Sequence, residues 1–166
     1  MKTPCTALIR RYRPSDQAAA RALIEKGLGE HFGFVDRNAN PDLIDISASY
    51  AMPPNTIFVA ELDGAAIGTT ALVVRGDVGQ LVRVAVTRNH RRAGVATALM
   101  TYVIGYARQV GVSQLTAHTQ PEWSDAMSFY ERHGFVPCGR DEIDVHLCRS
   151  LVVPNERSVA PADERA

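Results

Sequence analysis

Apolar residues recur along the chain with two periods, and each change of period marks a boundary between elements. Alternating or β-branched runs predict strands over about 7–12, 56–61, 65–75, 78–86, 113–119, 135–139 and 143–147. Helical spacing predicts helices opening at Pro14-Ser15-Asp16, at Asn40-Pro41-Asp42, near Gly94 and near Trp123. The first has apolar positions Ala19, Leu23, Ile24 and Leu28; Gly27 and Gly29 weaken its end and leave 31–40 irregular. Leu62-Asp63-Gly64 and Gly76-Asp77 read as turns, so three antiparallel strands follow one another. Gly111 and Gly134 stop the two later helices. The resulting class is α/β (α+β): a mixed, mostly antiparallel sheet of about seven strands flanked by about four helices. A single domain is expected over 1–152, with 153–166 as a flexible tail.

Charge and cysteines narrow the function classes. Lys plus Arg and Asp plus Glu are 18 each, so no global field draws in nucleic acid or an anionic membrane. No run has the length of a signal-peptide core or a membrane span. Cys5, Cys138 and Cys148 make an odd count without metal-ligand spacing. A reduced, cytoplasmic chain without a metal is expected.

The strand over 78–86 runs through Thr87-Arg88-Asn89-His90 and Arg91-Arg92-Ala93-Gly94-Val95-Ala96-Thr97 into a helix. Small residues at the start of a helix let a phosphate approach amide N–H groups that lack partners, and the arginines add charge. Taken alone, the turn also fits a plain strand–turn–helix with a solvated arginine pair. It lacks the Gly-Lys-Ser/Thr of a Walker loop and the Gly-x-Gly-x-x-Gly of a dinucleotide fold. A second landmark lies on the last helix, where Ala126, Phe129, Tyr130 and His133 share a face ahead of Gly134-Phe135.

These two stretches together resemble the GNAT superfamily of acetyl-CoA-dependent N-acetyltransferases. Its phosphate-binding motif, Gln/Arg-x-x-Gly-x-Gly/Ala, is matched by Arg91, Gly94 and Ala96, and its later signature by Ala126, Phe129, Tyr130, Gly134 and Phe135. The resemblance implies a direct acetyl transfer from acetyl-CoA to a primary amine, on a small molecule or a protein. It implies coenzyme A contacts at Val84, Ala85, Val86, Arg91, Arg92, Ala93, Gly94, Val95, Ala96, Thr97, Ala126, Phe129 and Tyr130. The pantetheine arm would pair with 84–86, in a notch opened by a bulge that splays this strand from the strand over 115–119. The resemblance makes the Val86 N–H the oxyanion donor and Tyr130 the general acid. It is compatible with a homodimer.

The base is left open by the residues themselves. Leu81 to Val86 holds no carboxylate, and Arg83 is its only charged residue. His118 could serve directly or through water, with Glu122, Asp77 or Glu61 reaching through solvent. Trp123 replaces the Asn that many relatives carry there; it could line the acceptor pocket, cover the thioester or simply pack. Glu25, Glu30, His31, Asp36, Asp42 and Asp45 could attract a cationic amine or be solvated and capping residues, and Phe32, Phe34 and Tyr50 could supply apolar walls. A non-catalytic acyl-CoA-binding module, another acyl donor and a hydroxyl acceptor remain alternatives.

Overall fold

A computed structural model describes residues 6–36 and 38–153. Seven strands form one sheet in the order β1-β2-β3-β4-β5-β7-β6, where β1 is Leu8–Arg11, β2 Thr56–Leu62, β3 Ala65–Arg75, β4 Val78–Val86, β5 Gln114–Thr119, β6 Val136–Arg140 and β7 Val145–Ser150. All neighbouring pairs are antiparallel except β4 with β5. That parallel pair needs a crossover, which helix α3 (Val95–Gln109) supplies. Two positive-φ residues, Asp63 and Gly64, close the β2–β3 hairpin.

The sheet buries both faces. Helix α1 (Gln17–Phe32) and the short α2 (Ile46–Tyr50) cover one, with Ala20, Leu23, Ile24, Leu43, Ile46 and Tyr50 packed on Ile57, Val59 and Ala71. On the other, Val95, Leu99 and Val103 of α3 meet Leu72, Leu81 and Leu115, joined by Tyr130 of helix α4 (Ser124–Arg132). Gly68 fixes the approach of α3: a Cβ there would lie 3.1 Å from both Leu99 Cδ1 and Val95 Cγ1.

Three expectations change. Helix α1 continues through Gly27 and Gly29 to Phe32, and ends where Gly33, in the left-handed region, donates its N–H to the Gly29 carbonyl at 2.8 Å. Packing on the sheet outweighs the helix propensity of two glycines. Its buried face uses Ala20 rather than Ala19. Cys138 and Cys148, expected as free thiols, form a disulfide. The antiparallel β6–β7 register brings their Cα atoms to 5.8 Å, inside the range a disulfide spans. The N-terminal five residues with Cys5, and the expected tail from 154 onward, lie outside the described residues. Among the described residues, no helix is long and apolar enough to cross a membrane.

Candidate active site

Strand β4 carries one residue too many for its partner. Thr69 of β3 lies opposite Ala85, but Ala71 lies opposite Val82, so the stretch between them bulges. Arg83 takes up the excess with φ +54°, a left-handed conformation that a side chain normally avoids. The fully buried Thr69 hydroxyl donates to the Arg83 carbonyl at 2.9 Å and pins the bulge.

Below the bulge, Val78 to Leu81 pair with Gln114 to Ala117 of β5. Beyond Leu81 that pairing stops, and β5 continues alone with β7 through His118 and Thr119. A notch opens between the strands. It widens into a cleft of about 950 Å³, lined by Val82 to Val86, by Arg91, Arg92 and Gly94 to Thr97, and by Trp123, Ala126, Phe129 and Tyr130. Thr87 N–H bonds the Ile67 carbonyl at 2.9 Å, so the alternation of the ladder turns the Val86 N–H away from β3 and toward the notch.

At one end of the cleft stands the N-terminus of α3. Its first intrahelical bond runs from Ala98 N–H to Gly94 C=O, which leaves the N–H groups of Val95, Ala96 and Thr97 without helical partners. Gly94 caps the helix at φ +83°, and a Cβ built on it would meet nothing within 4 Å. The space beside these donors is therefore open. The Arg91 guanidinium is already engaged: Nε donates to the Val86 carbonyl at 3.0 Å, and Nη2 pairs with Glu30 of α1. Its hydrogen bond and charge hold the Glu30 carboxyl below the usual carboxylate range.

Helix α4 forms another wall. Phe129 stacks edge-on against Tyr130, and Tyr130 against Phe135. Tyr130 lines the cleft, yet its hydroxyl makes no hydrogen bond among the described residues. Burial pushes its pKa up to about 12, so the phenol is protonated at neutral pH. Trp123, just ahead of α4, stacks on His31 of α1 with ring centroids 4.1 Å apart, and so spans the cleft. His118 stands at the rim, stacked on His146 at 4.0 Å; His146 Nε2 in turn lies 2.8 Å from Asp141 Oδ2.

The acidic residues of the first two helices are bound up within the protein. Glu25 pairs with Arg21, Glu30 with Arg91 and Asp42 with Arg83. Asp45 caps α2 through Ala48 N–H, and Asp36 accepts from Asn38 N–H. Phe32 and Phe34 line a separate cavity of about 320 Å³ rather than the cleft, whereas Tyr50 and His31 line the cleft itself. Two features had no sequence signal: the left-handed Arg83 with its partner Asp42, and the buried Thr119 hydroxyl, which lines the cleft without a partner.

Residues 28–135 match the Acetyltransferase (GNAT) family. The chain belongs to that family. A Xenopus tropicalis protein described as probable N-acetyltransferase camello is 36% identical over 110 residues, covering 64% of this chain and 50% of the relative. The chain thus spans about half the length of the curated relatives it matches. Among solved structures, a GNAT-family acetyltransferase from Staphylococcus aureus Mu50 superposes with a TM-score of 0.80 at 19% identity, covering 89% of this chain and all of that one. The PaiA N-acetyltransferase of Thermoplasma acidophilum, solved with coenzyme A, gives a TM-score of 0.77 at 13% identity, over 87% and 99% of the two chains. At these identities the structural likeness concerns the fold.

Proposed function

We propose that this GNAT domain moves an acetyl group from acetyl-CoA to a primary amine by direct transfer in a ternary complex. The observation that carries the reading is the loss of β4–β5 pairing beyond Leu81, which opens one cleft running from the free α3 amides to Tyr130. The diphosphate lies against the N–H groups of Val95 to Thr97, where unpartnered donors and the helix dipole favour an anion. The pantetheine follows 84–86 as an added strand. The Val86 N–H then faces the thioester oxygen as the tetrahedral intermediate forms.

Chemistry follows from these positions. The amine nitrogen must shed its proton before attack, because an alkylammonium with a pKa of about 10.4 has no lone pair to offer. His118, directly or through water, accepts that proton. The C–N bond forms, the C–S bond breaks, and the thiolate leaves. Tyr130 supports the leaving thiolate by donating its hydroxyl hydrogen, a role suited to a phenol that keeps its proton. Among the described residues both cysteines are consumed in the disulfide, so no thiol is free to carry the acetyl group. The test is thiol release from acetyl-CoA across a panel of amines: acceleration by at least one class supports transfer, and coenzyme A binding without release on any amine would show a binding module instead.

A further inference from the structure

Arg83 sits where β4 bulges, one residue before the stretch assigned to the pantetheine. Its side chain is mostly buried and lines the cleft. Asp42 grips one edge of the guanidinium, with Nε–Oδ2 at 2.8 Å and Nη2–Oδ1 at 2.6 Å. The Tyr50 hydroxyl donates to the same carboxylate and accepts from Arg83 Nε at 3.4 Å. Burial works against the charge on both partners, but their mutual hydrogen bonds and that of Tyr50 outweigh it: the Arg83 pKa stays raised and that of Asp42 lowered.

Side-on pairing through Nε and Nη2 leaves the end-on edge of the fork, Nη1 with the second Nη2 hydrogen. Among the described residues Nη1 has no hydrogen-bond partner. A guanidinium fixed on one edge and bare on the other is prepared for a planar anion. The bulge sets Arg83 in the left-handed region, so the residue that splays the strands is also the one whose guanidinium is clamped beside the cleft. The remaining charges point the same way. Asp125 is the one acid among the described residues that line the cleft; with Arg83 and Arg91 balanced by Asp42 and Glu30, Arg92 and Arg132 still leave the lining net positive.

We infer that Arg83, held by Asp42 and Tyr50, binds the carboxylate of an acceptor that carries both an amine and a carboxylate. The inference rests on the acetyl-transfer reading and adds the acceptor class to it. Val84 and Ala85 separate Arg83 from Val86, at most about 10 Å along the strand. An arginine side chain and a small amino acid together bridge that length, with the amine turned toward the thioester. Tyr50 and the His31–Trp123 stack face the same space and would hold an apolar side chain.

The experiment uses matched acceptors: phenylalanine against phenethylamine, and methionine against 3-(methylthio)propylamine. For each pair the ratio of kcat/KM is measured in the wild type and in Arg83→Met, so that differences in amine basicity cancel. The ratio is expected to fall roughly 10- to 100-fold in the variant, the loss of one hydrogen-bonded charge contact. An unchanged ratio overturns the inference. Should Arg83→Met not fold, 3-phenylpropanoate and its neutral amide are titrated into the wild type with coenzyme A bound. Tighter binding of the carboxylate, lost in the presence of phenylalanine, supports the subsite; equal binding overturns it. If none of these four is acetylated, the amine panel decides the transfer reading separately, and the same titration still decides the subsite.

Discussion

Replacing Gly94 by glutamate puts bulk and negative charge where the diphosphate is expected to lie. Two effects must be separated. A side chain at φ +83° costs about 1–2 kcal/mol of stability in the left-handed region, whatever its charge. Nothing lies within 4 Å of the Cβ, so no clash inside the free protein adds to this. Gly64, at φ +78° in the β2–β3 turn with equally open surroundings, is a control matched in strain and charge. The second effect is electrostatic. A carboxylate about 5 Å from a phosphate charge is repelled by about 3 kcal/mol at an effective dielectric near 20, which corresponds to about a 100-fold loss of affinity. Calorimetric titration with coenzyme A, beside thermal melts, reads both. Tm is expected to drop in both variants, less in Gly94→Glu because its carboxylate sits at the start of α3, with the large loss of affinity confined to Gly94→Glu and narrowed by added salt. Coenzyme A binding to the two variants within about threefold of each other would refute the cradle.

Tyr130→Phe is expected to lower kcat by about 10²-fold or more while coenzyme A affinity stays within about threefold, as measured by initial rates and titration; equal turnover removes the phenol from the chemistry. Alkaline stability follows from the same residue. Its folded pKa of about 12 lies above the ordinary 10, so the unfolded chain loses the proton first and stability is lost as pH rises from 10 to 12, by about 2–3 kcal/mol. Denaturant melts of the wild type and Tyr130→Phe over that range read the difference, and parallel curves would contradict the burial argument. Cys148→Ser opens a loop that spans 10 residues of sequence and should destabilise the oxidised protein by about 3 kcal/mol on the loop-entropy account, with no effect on the fully reduced one.

Order and type of most elements were legible because β2 to β5 and α3 carry clear apolar periods, while α1, which has almost none, was marked by its Pro14-Ser15-Asp16 entry. The turns at Asp63-Gly64 and Gly111 announced themselves through residues that tolerate left-handed backbone. The strand–turn–helix junction proposed as the cradle was legible for a similar reason: its small residues are local in sequence. What escaped were features made by distant partners. Nothing near Arg83 names Asp42, 41 residues away, and an arginine gives no hint that it will fill a bulge. The Cys138–Cys148 bond depends on the β6–β7 register, which cysteine spacing does not encode. Whether the carboxylates of the first two helices attract a cationic acceptor or serve as solvated and capping residues could not be decided from sequence, because the partners Arg21, Arg83 and Arg91 lie on other turns and strands.

The central claim is that the splayed β4–β5 notch and the start of α3 receive one extended thioester ligand. Backbone amide resonances followed by NMR during titration with coenzyme A test it directly. The account expects saturable shifts concentrated at 84–86 and 93–97, with smaller changes along α4 around Ala126 and Tyr130. Shifts clustered elsewhere, with the amides of Val86, Val95 and Ala96 unmoved at saturation, would contradict it.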